Sequence, residues 1–254
     1  MDIKEIYNSN KQRVLTGLAL LGVAGLMAVM DSLFITWAIL GIAYMIAFYE
    51  AMKLFGERDD KLYLYAILVW VSAAFYPNPT ELIFIILVVA TAIMAHKKEV
   101  NYKKLAPFFY PSISMLFLFS LYADFGMGIL VWLVVVVAFT DTGAYFVGKS
   151  FGKTPFSPTS PNKTWEGVVG GILIASVAGT FVGHLFYSWQ IAFLTSVLVS
   201  ASSIWGDLFE SYLKREAGVK DSGSIFPGHG GVLDRLDGYL FGVVIMIVIL
   251  RGLA

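Results

Sequence analysis

Two stretches of this sequence hold side chains that could act together on phosphate. One runs from Asp141 to Gly167 and reads DTGAYFVGKSFGKTPFSPTSPNKTWEG; the other runs from Gly206 to Gly238 and reads GDLFESYLKREAGVKDSGSIFPGHGGVLDRLDG. Together they hold 8 of the 18 acidic and 7 of the 18 basic residues, far more charge than a mere connection needs. If a helix continues through the start of the second stretch, Asp207, Glu210, Ser211 and Lys214 fall at i, i+3, i+4 and i+7, on one face. A carboxylate, a hydroxyl and an ammonium on one face make a poor lipid-facing stripe and a good ligand stripe. Farther on, Pro227-Gly228-His229-Gly230-Gly231 is a glycine-rich bend whose N–H groups could cradle phosphate. Asp234 and Asp237, at i and i+3, can share a face while Arg235 points elsewhere. Carboxylates and hydroxyls without cysteine or clustered histidine favour a hard cation such as Mg²⁺ over zinc. With Lys and Arg added, the set suits phosphoryl or nucleotidyl transfer: a metal neutralises phosphate oxygens and cationic side chains stabilise a departing pyrophosphate.

The elements that must position these residues are membrane helices. Of the 254 residues 58% are hydrophobic and 14% charged, against about 25% charged in a soluble domain, and the apolar material extends from Val14 almost to the end. This predicts an all-α, polytopic membrane protein forming a single membrane-embedded domain over 1–254, with about nine transmembrane helices. The apolar stretches run approximately Val14–Met30, Leu33–Tyr49, Leu62–Tyr76, Leu82–Ala95, Phe108–Tyr122, Gly126–Thr140, Val168–Phe186, Ile191–Trp205 and Tyr239–Leu250. The first, preceded by Lys4, Lys11 and Arg13, reads as a membrane segment rather than a cleaved signal peptide. Asp31-Ser32 between the first two is either a tight hairpin or a bend in one long element. With the N-terminus inside and the segments alternating, 17 of the 18 basic residues lie inside and only Arg251 outside. That asymmetry sets the orientation and puts both charged stretches, as two long active-site loops, on the cytoplasmic side. Net charge is zero and cysteine is absent, so neither bulk electrostatics nor redox chemistry narrows the function.

The second stretch resembles the signature of the phosphatidate cytidylyltransferase (CDP-diacylglycerol synthase) family. The matching residues are Ser211, Lys214-Arg215, Lys220-Asp221, then Pro227-Gly228-His229-Gly230-Gly231 and Asp234-Arg235-Leu236-Asp237. The first stretch is similar to the same family in Asp141, Ala144-Tyr145, Gly148-Lys149, Gly152-Lys153 and Ser160-Pro161-Asn162-Lys163-Thr164-Trp165-Glu166-Gly167. The resemblance covers about a quarter of the chain and is specific, because so many fixed positions are polar. It implies that phosphatidate and CTP give CDP-diacylglycerol and pyrophosphate, with Mg²⁺ accompanied by K⁺ on Asp207 and Asp234. Lys214, Arg215, Lys220 and Arg235 are then expected on phosphates, Ser211 and Asp221 in positioning, and Asp237 beside them. Asp141, Tyr145, Lys149, Lys153, Ser160, Asn162, Lys163, Thr164, Glu166, His229, Gly230 and Gly231 are expected to contact substrate. The expected partners are CTP, phosphatidate and the bilayer, with no nucleic acid and with a homodimer left open. The expected location is a prokaryotic plasma membrane with the site on its cytoplasmic face.

Plainer readings compete. Asp234 to Asp237 could be an ion-pair cluster at a helix start, where Asp is favoured in any case. Thr164 and Glu166 could simply cap and enter a helix. Lys97, Lys98, Lys103 and Lys104 set topology and touch lipid headgroups. A transporter would carry ionisable residues near mid-helix and inverted repeats, whereas these charges gather at one membrane face. A CTP-dependent polyprenol or phytol kinase, or an ether-lipid cytidylyltransferase, would share CTP and the membrane but differ in product. A lipid scaffold without catalysis would leave the motif residues idle.

Overall fold

An apolar helix that leaves the hydrocarbon layer need not stop there, and this governs how the charged stretches fold. The computed structural model describes residues 3–98 and 100–253, with side chains from Leu15 onward. The side chains of Lys4, Lys11 and Arg13, which carry part of the topology expectation, lie outside the described residues. The helices are α1 (Ile3–Met30), α2 (Leu33–Leu54), α3 (Lys61–Ala73), α4 (Leu82–Lys97), α5 (Tyr102–Pro107), α6 (Ile113–Phe125), α7 (Met127–Phe151), α8 (Trp165–Gly183), α9 (Trp189–Glu216) and α10 (Leu233–Leu253). A small hairpin, β1 (Pro155–Ser157) and β2 (Ser160–Thr164), joins α7 to α8. All nine apolar stretches fall on helical segments. Among the described residues seven of these are long and apolar enough to cross a membrane; Lys61–Ala73 is shorter, and Leu15–Met30 is the part of α1 whose side chains are described. The molecule is an all-α polytopic membrane protein. Asp31, with φ of +37°, separates α1 from α2, so the first two stretches are distinct helices.

The loop boundaries need correction. α7 continues through Asp141 to Phe151, α9 through Asp207 to Glu216, and α10 already begins at Leu233. Hydropathy drops where a helix meets water, but charged residues with good helix propensity carry its hydrogen bonding onward. About half of the expected active-site loop residues therefore sit on helix ends. What remains is the hairpin region 152–164 and a true loop over 217–232. The hairpin is a departure from all-helical expectation, and Phe156 ties it down against Trp165 (ring centroids 4.8 Å apart) and Trp205 (5.7 Å).

The chain divides into two compact units, Met1–Phe119 with Val219–Arg235 and Ser120–Gly218 with Leu236–Ala254. In the second unit α7 and α8 approach almost to backbone contact. A Cβ at Gly143 would lie 3.1 Å from the Gly171 Cα, and one at Gly171 would crowd the Thr140 carbonyl and the Ala144 methyl. Lower on α8, Gly179 and Gly183 leave room for Ser196 and the Trp132 ring. In lipid, where apolar surface alone does not drive association, such small-residue faces let backbones pack and let short polar groups bond across helices. Trp132 Nε1 donates to Ser196 Oγ (3.1 Å), and the Thr140 and Ser200 hydroxyls pair at 2.7 Å. In the first unit Trp37 and Trp70 each donate their indole N–H to the other's carbonyl (3.0 and 3.2 Å). The Tyr44 hydroxyl donates to Ser112 Oγ at 2.8 Å, and Phe48 meets Phe108 edge-on, so α2 is firmly held.

Candidate active site

In the second unit the expected stripe on α9 forms. Lys163 Nζ lies 2.5 Å from Asp207 Oδ2, and the Ser211 hydroxyl donates toward Asp207 Oδ1 at 3.4 Å. One turn on, Lys214 Nζ is 3.3 Å from Oε1 of the fully buried Glu210. Gly206 fixes the depth of this stripe: a Cβ there would strike the Asp237 carbonyl and the Phe241 side chain. α9 thus touches α10 directly beside Asp207. Asp237, half-buried, lies within electrostatic reach of Asp207, Asp141 and Lys214. Asp141 itself is exposed on α7.

Lys163 is aimed by the hairpin that carries it. Thr164 accepts the Gly167 N–H at 3.2 Å and so caps α8, satisfying one of the donors a helix start leaves open. Glu166 in that first turn accepts the N–H groups of Lys153 (3.1 Å) and Thr154 (3.2 Å) and the Thr154 hydroxyl (2.9 Å). Both residues therefore build the hairpin. Gly152 is needed there because a side chain would collide with Thr164 and the Gly148 carbonyl. Of the other expected contacts, Lys149 lies over the Tyr145 ring on the exposed side of α7, 3.4 Å from its hydroxyl. Lys153, Asn162 and Arg215 are exposed, and Ser160 is half-buried in β2.

In the first unit Lys220, Asp221, Gly223, His229, Gly230 and Arg235 line a cleft of about 610 Å³. Gly228 (φ +76°) and Gly230 (φ +82°) make the turn, in a region where a side chain would be strained. Beneath it Asp234 is 6% exposed, and its Oδ2 accepts three bonds: from Gly231 N–H (2.7 Å), Ser222 N–H (2.8 Å) and the Ser222 hydroxyl (2.9 Å). Asp234, expected as a metal ligand, is therefore also the hub on which the glycine bend hangs. Gly231, expected at a phosphate, lies against Glu50, since a Cβ there would meet that carboxylate. Neither Glu50 nor Ser222 was singled out from the sequence. The signal for Glu50 was present: it follows an apolar run that ends at Tyr49, where an unpaired carboxylate is costly. Ser222 carried no such signal.

Asp207 and Asp141 each lie within electrostatic reach of Asp237, and Ser211 bonds Asp207; oxygen donors of this kind fit Mg²⁺ far better than a softer metal. Among the described residues no three His, Asp or Glu side chains close into a metal-binding group. At Asp234 a cation would meet a carboxylate with one oxygen already committed to three donors.

One unit pairs carboxylates of α9 with lysines, the other holds a glycine-lined cleft with Lys220 and Arg235, and the whole is a polytopic membrane protein. The chain belongs to the cytidylyltransferase family, whose model matches residues 11–253, and it is accordingly a nucleotidyltransferase. It is similar to a phosphatidate cytidylyltransferase of Helicobacter pylori strain J99, at 46% identity over 251 residues covering 98% of this chain and 94% of that protein. The protein of that name from Bacillus subtilis strain 168 is 48% identical over 122 residues, 46% of this chain and 45% of the relative.

Proposed function

We propose that the chain transfers the cytidylyl group of CTP to phosphatidate, giving CDP-diacylglycerol and pyrophosphate for phospholipid biosynthesis. The observation that carries this reading is the similarity to the Helicobacter protein of that name, which runs through nearly the whole of both chains. A phosphatidate oxygen attacks the α-phosphorus of CTP in line. That phosphate is already ionised near neutral pH, so the reaction asks for no strong general base. It asks for positive charge that overcomes repulsion between two anions and stabilises the leaving pyrophosphate. Lys220 and Arg235 present such charge in the glycine-lined cleft, and Lys163 and Lys214 present it along α9. Mg²⁺ with K⁺, held by Asp207 and Asp234 as the family resemblance implies, would supply further neutralisation of phosphate charge. His229 lines the cleft and serves binding rather than proton transfer.

Purified protein incubated with CTP, Mg²⁺ and phosphatidate should yield CDP-diacylglycerol and pyrophosphate in equal amounts. A phosphorylated lipid with CDP would indicate a CTP-dependent kinase, and product from an ether lipid alone would change the substrate. No nucleotide turnover with any lipid would overturn the proposal.

The partition of basic residues supports a site on the cytoplasmic face, and the membrane proposed is a plasma membrane. Cysteines introduced into this cysteine-free chain at Lys163 and Lys220 should resist an impermeant thiol reagent in intact cells, while one at Pro79 should react. Labelling at position 163 or 220 from outside would reverse the orientation and cut the site off from its nucleotide.

A further inference from the structure

Glu50 lies near the end of α2, 1% exposed, in a helix otherwise composed almost wholly of apolar residues. A buried carboxylate is tolerated only where hydrogen bonds replace its hydration. Here they come from one segment far along the chain. Oε1 accepts the Val232 N–H at 3.1 Å; Oε2 accepts the Leu233 N–H at 2.8 Å and lies 3.1 Å from the Ser222 hydroxyl. α10 begins at Leu233, so Glu50 takes up donors that a helix start leaves without carbonyl partners. It is a cap supplied by another helix, and negative charge is favoured at that end.

The fit around Glu50 is close. A Cβ at Gly223 or at Gly231 would run into its carboxylate, so two glycines of the loop are required by Glu50 itself. Ser222 then links two acids. Its hydroxyl lies 3.1 Å from Glu50 Oε2 and 2.9 Å from Asp234 Oδ2, with a single hydrogen to give. Asp234 follows directly after the two residues whose N–H groups Glu50 holds. Both the backbone that carries Asp234 and the hydroxyl that orients its carboxylate are therefore set by Glu50.

We propose that Glu50 is a positioning residue for cytidylyl transfer, holding the Val232–Leu233 turn and Ser222 so that Asp234 and the cleft-lining loop stand in their working arrangement. This rests on the proposed function above. Glu50→Gln keeps the shape but replaces one acceptor oxygen with an NH₂ group facing N–H or O–H donors. In detergent-extracted protein it should lower kcat at least about tenfold and leave KM for CTP and phosphatidate within about twofold. The Mg²⁺ concentration for half-maximal activity should rise severalfold, and Glu50→Asp should recover part of the loss. Independently of activity, hydrogen exchange at the amides of Gly231, Val232 and Leu233 should quicken at least about tenfold, with α7 and α8 unchanged.

Native exchange rates at those three amides in Glu50→Gln would overturn the proposal. So would faster exchange with kcat and Mg²⁺ response both unchanged, which would leave Glu50 a purely structural cap. If Glu50→Gln fails to fold, Ser222→Ala removes the shared hydroxyl with little change in volume; it must show the same shift in Mg²⁺ response, and a native response would be equally fatal. If native protein makes no CDP-diacylglycerol while Glu50→Gln still loosens the three amides, the proposed function falls and the anchoring by Glu50 stands.

Discussion

Asp207→Asn and Asp234→Asn are each expected to reduce cytidylyl transfer by on the order of a thousandfold or more, because each removes charge that a hard cation needs and such a cation contributes several kcal/mol to catalysis. The substitutions keep side-chain volume, so the yield of folded, detergent-extracted protein should be unchanged. For Asp234 this expectation has a structural basis. Asn can keep an oxygen where Oδ2 accepts from Gly231 and Ser222, so the glycine bend remains anchored while the charge is lost. Asp31→Asn, at an exposed turn between α1 and α2, is the control and should stay active. Near-normal activity and Mg²⁺ dependence in either Asp207→Asn or Asp234→Asn would remove that residue from the metal site. Asp237, which lies within electrostatic reach of both Asp207 and Asp141, and Asp141 itself would be the next to test.

Lys163→Ala should lower kcat/KM for CTP by about ten- to a hundredfold, the worth of a charged hydrogen bond of roughly 1.5–3 kcal/mol. The hairpin delivers Lys163 to Asp207, so in the absence of substrate its charge is matched there and is near at hand for an incoming phosphate. Lys97→Ala, at the end of α4, should have little kinetic effect. Unchanged CTP kinetics in Lys163→Ala would confine Lys163 to partnering Asp207.

The membrane helices were legible because apolar runs of sufficient length have few alternatives, and every such run lies mostly on a helix. The shared polar face of α9 was legible for the same reason: Asp207, Ser211 and Lys214 keep helical spacing whether or not the surroundings are apolar. Helix ends were not legible. Charged residues ended each hydropathic stretch at Thr140 and Trp205, yet α7 and α9 run eleven residues farther to Phe151 and Glu216. The hairpin was hidden by its length, since three- and five-residue strands carry too little alternation to read. At the site, the acidic and basic residues were visible as types but their mutual partners were not. That Gly231 also leaves room for Glu50 was hidden, because nothing local announces that a glutamate 181 positions earlier needs the space. That Asp234 also anchors the glycine bend was hidden, because three donors converging on one oxygen is a fact of tertiary structure, not of spacing.

The two ways in which this protein holds its acids imply different sensitivities to ionic strength. Glu50 is gripped by N–H and O–H groups of a buried turn, where mobile ions do not enter, so added salt should leave it in place. Lys163 and Asp207 are 25% and 32% exposed, so mobile ions can reach each partner and compete for it, as with other solvent-accessible ion pairs. Salt should therefore loosen the lysine's hold on Asp207 long before it disturbs the loop that Glu50 secures.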